Sequence, residues 1–233
     1  MQGVDEPSRA PRLLFSFNSE DDVQQFATGC DADIGGTSTV NLGVEESPER
    51  NKSIRKHTTG KFWGEMRLNV KPGMEGKLRG GYAGFRNKAW IVLSHDQLRP
   101  TLFGNLTEDV SNHQYLALRL RVAGDPSTHN SYFVNIQTDG PLTTDLWQHR
   151  LYFQRSDNTW EDIFVPFGSF VRTNSGELTE DQITMYRERV RSIGISLLGG
   201  KSGVVGKYEL GIDSISIVND EDVNKTPSTK PQP

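Results

Sequence analysis

Five histidines, one cysteine and a group of early carboxylates are the side chains best suited to chemistry in this 233-residue sequence. The histidines are His57, His95, His113, His129 and His149. No two are spaced as metal ligands on one helix or hairpin. Cys30 stands alone, which rules out an internal disulfide and a cysteine-based zinc cluster. Asp31 and Asp33 beside it would raise its thiol and dull it as a nucleophile. No serine sits in a Gly-x-Ser-x-Gly elbow. Gly200-Lys201-Ser202 resembles the end of a phosphate loop, but the upstream Gly194 is one residue too far away. The sequence thus offers no catalytic set, and the expectation is a non-enzyme with no cofactor.

The carboxylates leave two readings open. Glu20, Asp21, Asp22, Asp31 and Asp33 cluster near the start, and Asp213 lies in the last apolar segment. In a sandwich the terminal strands are often neighbours, so Asp31, Asp33 and Asp213 could converge as oxygen ligands for calcium. Helix capping and solvated turns are the plainer account. The triplets starting at Asn51, Asn105 and Asn224 fit the glycosylation pattern, which without a secretory signal is coincidental.

Binding chemistry is better represented. Trp63, Arg119, Arg121, Asn135, Gln137, Tyr152 and Gln154 alternate with apolar residues and could share one sheet face. Planar aromatics, amides and arginines on one face can hold a sugar or a protein segment. A covering loop would occupy them equally well. Lys77, Arg79, Arg86 and Lys88 make the glycine-rich stretch between them locally basic. Such a loop suits an acidic partner or anionic lipid headgroups, or is a solvated surface.

Strands must carry these residues. Leu116, Leu118, Leu120 and Val122 alternate with Ala117, Arg119 and Arg121, the period of a half-buried strand. The same period predicts strands over Phe62–Val70, Tyr132–Gln137, Leu151–Gln154 and Ser192–Leu197. Shorter candidates are Leu13–Phe17, Thr37–Leu42, Tyr82–Arg86, Trp90–Leu93 and Trp160–Pro166. In the last strand Tyr208, Leu210 and Ile212 occupy even positions, whereas Ile215 and Ile217 occupy odd ones. A β-bulge near Asp213–Ser214 would keep all five on one face. Ser19 with Asp22, and Thr179 with Gln182, resemble N-caps of two short helices, the second running to about Arg189. Glu45–Thr59 and Lys71–Gly84 read as long loops. About ten strands and few helices predict an all-β, antiparallel two-sheet sandwich.

Composition agrees. The net charge is −4, from 26 basic and 30 acidic side chains, so non-specific nucleic-acid binding is not expected. The apolar runs are too short for a membrane helix. Twenty-three glycines suit a fold with many turns. One domain is expected over 13–218. Disordered segments are expected at 1–12 and 219–233, which are polar and proline-bearing. Met1–Pro11 lacks the apolar stretch of a secretory signal and is too acidic for a mitochondrial presequence.

Five segments in order carry a family resemblance. They are Asp31-Ala-Asp-Ile-Gly-Gly-Thr-Ser-Thr39, Gly80-Gly-Tyr-Ala-Gly-Phe-Arg86, Leu118 to Asp125, Trp160-Glu-Asp-Ile-Phe-Val-Pro-Phe-Gly-Ser-Phe170, and Ile193-Gly-Ile195 leading to Gly206–Ile215. The chain resembles the thirty-kilodalton complex I intermediate-associated protein family over about Leu13–Val218. That resemblance implies a galactose-binding-like jelly roll. It implies an assembly factor for mitochondrial respiratory complex I, at the matrix side of the inner membrane. Membrane-arm subunits and other assembly factors are the implied partners, with peripheral lipid contact. A carbohydrate-binding module using the polar-aromatic face is the alternative. The resemblance assigns no catalytic residue.

Overall fold

The computed structural model describes residues 8–88, 107–140, 142, 144–155, 157–174 and 176–224. In chain order the elements begin with β1 (Arg12–Ser16), α1 (Glu20–Gln24), β2 (Phe26–Cys30), β3 (Asn41–Glu45) and α2 (Pro48–Asn51). Next come β4 (Thr59–Met66), β5 (Tyr82–Asn87), β6 (Tyr115–Gly124), β7 (Tyr132–Thr138) and β8 (Asp145–Arg150). The chain continues through β9 (Glu161–Pro166), β10 (Val171–Asn174), β11 (Glu177–Leu178), β12 (Val190–Leu198), β13 (Gly206–Val218) and α3 (Asp220–Val223).

The strands form two antiparallel sheets. The first runs β3-β4-β13-β6-β9, with β1 also paired to β13. The second runs β11-β10-β8-β7-β12-β5-β2. Their inward faces bury one apolar core. Phe17, Phe26, Phe85, Phe62 and Tyr208 form a chain of ring contacts across it, with centroids 4.7 to 5.6 Å apart at successive pairs. This is the expected all-β sandwich of jelly-roll type.

The expected bulge is present, and it has a structural purpose. β13 pairs with β6 along its length, with a register shift between Ile212 and Ser214. Its other edge pairs first with β4, up to Ile212, and then with β1, from Ser214 onward. Asp213 therefore marks the handover between two partner strands, and its carbonyl accepts from Phe17 N at 3.0 Å.

Several expectations need correction. Leu151–Gln154 is not a strand. The strand is β8, just upstream, where Trp147 and His149 face inward and Gln148 and Arg150 face outward. A histidine and a glutamine on alternate sides hide that period. Residues 179–189 do not form a helix. Gln182 instead bonds the edge strand β10, accepting from Arg172 N at 2.7 Å and donating to Arg172 O at 3.0 Å. Only one 3-10 turn, Arg187–Arg189, remains there. Ser19 does cap α1, accepting from Asp22 N at 3.2 Å, and β2 follows directly from Phe26. After β13, buried Asn219 caps the helical turn α3. Trp90–Leu93 and His95 lie outside the described residues.

The Glu45–Thr59 segment folds against the outer face of the first sheet. Buried Asn51 clamps it, donating to Glu45 O at 3.0 Å and His57 O at 3.3 Å while accepting from Thr59 Oγ1 at 3.1 Å.

Candidate functional site

The outward face of the second sheet is an open polar and apolar surface. β7, β8, β10 and β12 alternate, so Asn135, Gln148, Thr173 and Ser196 all point away from the core. They form a hydrogen-bonded ladder across the strands. Asn135 Nδ2 donates to Ser196 Oγ at 2.9 Å. Gln148 Nε2 donates to Asn135 Oδ1 at 2.7 Å. Thr173 Oγ1 donates to Gln148 Oε1 at 3.0 Å. The ladder satisfies buried amides that a sheet surface would otherwise leave unmade.

Two cavities flank this ladder. One, of about 320 Å³, lies over β2, β5, β7 and β12, with Tyr82, Arg86, Asn135 and Gln137 in its lining. The other, of about 590 Å³, lies over β7, β8 and β10 and the turn after β12, with Arg79, Phe133, Arg150, Tyr152, Leu178 and Lys201 in its lining. Tyr152 and Leu178 are 64% and 67% exposed, so the larger cavity has an uncovered apolar rim. Arg150 lies over the Phe133 ring at 5.1 Å. Lys201 pairs with Glu177 at 2.6 Å, but both side chains are largely exposed. His149 borders the larger cavity, and burial lowers its pKa.

The seven expected face residues do not share a face. Trp63, Arg119 and Arg121 lie on β4 and β6 of the first sheet. Asn135 and Gln137 lie on β7 of the second. Tyr152 and Gln154 follow β8 in an irregular segment that leaves the sheet. Period two assigns a residue to one side of its own strand, but says nothing of which sheet the strand joins.

The first-sheet residues are largely engaged internally. Arg121 is fully buried, stacked 5.6 Å from Trp160, bonded to Glu209 at 3.1 Å and also to Asn158. Burial is the main cause that holds its pKa below the ordinary value. Arg119 makes a two-pronged bond to Asp162, at 2.7 and 3.0 Å. Lys61 stands over Trp63 at 5.3 Å. Of the basic loop, Arg79 and Arg86 reach the two cavities, whereas Lys88 Nζ donates to Gln24 O at 2.8 Å and Lys77 is exposed elsewhere.

The calcium candidates are separated. Asp31 accepts from Ser38 N and Oγ, each at 2.9 Å, from Tyr82 N at 3.2 Å and from Gly81 N. Asp33 accepts from Cys30 N at 3.0 Å. Ser38 adjoins Arg67, beyond the end of β4, whereas Asp213 lies past the Ile212–Gly60 pair near its start. Among the described residues no three His, Cys, Asp or Glu side chains gather as a metal site. Cys30 is buried with a raised pKa, mainly from desolvation, and donates to Ser38 O.

The residues that sequence reasoning missed are Phe133, Gln148, Arg150, Thr173, Leu178 and Lys201. The first four could have been found by extending the alternation through β7, β8 and β10. Leu178 lies on the two-residue strand β11 and Lys201 in the turn after β12, and neither belongs to an alternation long enough to place it.

Comparison with known proteins decides the family. The family described as Complex I intermediate-associated protein 30 matches residues 15–212. The chain belongs to this family. It is 32% identical over 225 residues to complex I intermediate-associated protein 30, mitochondrial, of Neurospora crassa, covering 91% of this chain and 75% of that protein. It is 26% identical over 212 residues to the mouse protein of the same name, covering 90% of this chain and 56% of that protein. The chain thus spans little more than half of the mouse relative.

Solved structures share its fold. A family 11 carbohydrate-binding module from Clostridium thermocellum, in complex with a mixed-linked tetrasaccharide, superposes with a TM-score of 0.56 at 14% identity. The match covers 91% of this chain and 98% of the module. The family 11 module of a cellulosomal cellulase gives 0.57 at 13% identity, over 91% and 96% of the two chains. The likeness is one of fold.

Proposed function

We propose that this protein is a non-enzymatic assembly factor for mitochondrial respiratory complex I. It holds membrane-arm intermediates at the matrix side of the inner membrane, together with other assembly factors. The observation that carries this reading is the family match over 15–212. The names of the Neurospora and mouse relatives point the same way. No helix among the described residues is long and apolar enough to cross a membrane, which is compatible with peripheral attachment.

The second-sheet face is the gripping surface in this reading. It offers Asn135, Gln137, Arg79, Arg86 and Tyr152, five of the residues singled out by the sequence, on or beside two cavities. Glycan binding on the same face is supported by fold likeness alone.

A native-gel profile of mitochondria lacking the protein tests the role. Loss of mature complex I, with membrane-arm fragments accumulating and other respiratory complexes intact, is expected. Normal complex I would remove the assembly reading.

A further inference from the structure

The two cavities are lined by cations without a matching carboxylate. Their linings contain Arg79, Arg86, Arg150 and Lys201 and no carboxylate, on a chain whose net charge is −4. Neither Arg79 nor Arg150 makes an ion pair among the described residues, and both are exposed. Glu177 at the rim faces Lys201 through an exposed pair, which solvent screens. The nearby Asp145 is turned to the opposite side of β8, where it accepts from Arg172 Nε at 2.7 Å. The outer face of the first sheet differs. Its Arg50, Lys61 and Arg121 are matched by Glu45 and Glu209.

Apolar surface accompanies these cations. Tyr152, Val171 and Leu178 are exposed around the larger cavity. The occupant must therefore combine negative charge with apolar side chains. We propose that the groove takes an extended acidic segment of a partner protein, with carboxylates at Arg79 and Arg150 and apolar side chains on Tyr152 and Leu178. An extended chain lays every second side chain on the surface beneath it, so carboxylates and apolar side chains two residues apart can both be presented along the sheet. A neutral sugar would leave the exposed guanidinium groups of Arg79 and Arg150 without an ionic partner, whereas a carboxylate bonds them with charge assistance. A bilayer surface is flat on this scale, whereas these cations surround a concavity.

The proposal rests on the reading of this face as the gripping surface. The test uses the full chain and a labelled peptide of about twelve residues, enough to cross the sheet at roughly 3.3 Å per residue. The peptide repeats Glu, Leu and Ser. A second peptide has Gln for each Glu, and phosphatidylglycerol vesicles are the membrane probe. Fluorescence anisotropy should show saturable binding of the acidic peptide, weakened by salt. The Gln peptide, and the variants Arg79→Glu and Arg150→Glu, should each bind at least about tenfold more weakly. Lys52→Glu, an exposed cation on the other sheet's covering segment, should bind as the parent does. Thermal melting checks that each variant is folded.

Equal binding of both peptides, no saturable binding, or indifference to Arg150→Glu would overturn the proposal. Vesicle binding that depends on Arg150 without peptide binding would overturn it in favour of a lipid surface. Expressing the parent chain in mitochondria that lack it separates the two readings. If complex I returns while no acidic peptide binds, only the groove proposal falls.

Discussion

Gln148 Nε2 donates to Asn135 Oδ1 at 2.7 Å, joining β8 to β7 on the outward face of the second sheet. The same glutamine accepts from Thr173 Oγ1 at 3.0 Å, so one side chain couples three strands. It also lines the larger cavity, and its partner Asn135 lines the smaller one. The ladder that fixes the groove's floor is therefore part of what holds the sheet together.

Replacing Gln148 with Ala should test that coupling. The change strands the Asn135 oxygen and removes an acceptor from Thr173. Leaving a buried polar group unmade costs about 1–3 kcal/mol. The urea midpoint should fall by that amount of stability with an unchanged slope. A midpoint equal to the parent's would mean that water replaces the amide without loss.

How much of this was legible in the sequence follows from the kind of signal each residue leaves. The bulge at Asp213 was legible because a parity change in Tyr208, Leu210, Ile212, Ile215 and Ile217 has a single geometric remedy. β6 and β7 were legible because their inward residues are uniformly apolar. β8 was not, because His149 faces inward and mimics a polar position. Thr179 and Gln182 carry the letters of a capping box, but here the glutamine serves the edge of β10. Trp63 and Asn135 satisfy the same alternation, yet strand order puts them on different sheets, and order is a long-range property no local pattern encodes.

Asp31 should prove to be a structural carboxylate. It ties the turn at Ser38 to the start of β5 through Gly81 N and Tyr82 N. Hydrogen bonds to a charged group each contribute about 1.5–3 kcal/mol. Asp31→Ala should therefore cost at least about 3 kcal/mol in urea unfolding. Added calcium should not raise the parent's melting temperature. A calcium-dependent rise would restore the metal reading.

Acid should weaken the fold through His149. Burial lowers its pKa below the ordinary 6.5. Between the folded and unfolded values the unfolded chain binds more protons, so stability increases with pH there. This contribution is complete above about pH 6.5 and is lost as the pH falls toward the folded value. His149→Phe should flatten that part of the stability curve, read as melting temperature against pH. An unchanged slope would place the acid sensitivity elsewhere.

Arg121 and Gly211 should behave as one unit. They are register partners on β6 and β13, and a Cβ at Gly211 would come within 2.9 Å of Arg121 Nε. The glycine thus opens the slot in which the guanidinium stacks on Trp160. Orphaning one member of a buried ion pair costs about 3–5 kcal/mol. Arg121→Ala should cost somewhat less, because Glu209 keeps Arg50 at 2.7 Å and Lys61 at 3.2 Å. Gly211→Ala alone should also destabilise, by forcing the guanidinium from its slot. With Arg121 already removed, the added methyl has room, so the double variant should be more stable than the sum of the single losses predicts. Urea unfolding of the four proteins measures that coupling, expected at about 1 kcal/mol or more. Strict additivity would show that Gly211 is required by its own backbone and not by the arginine above it.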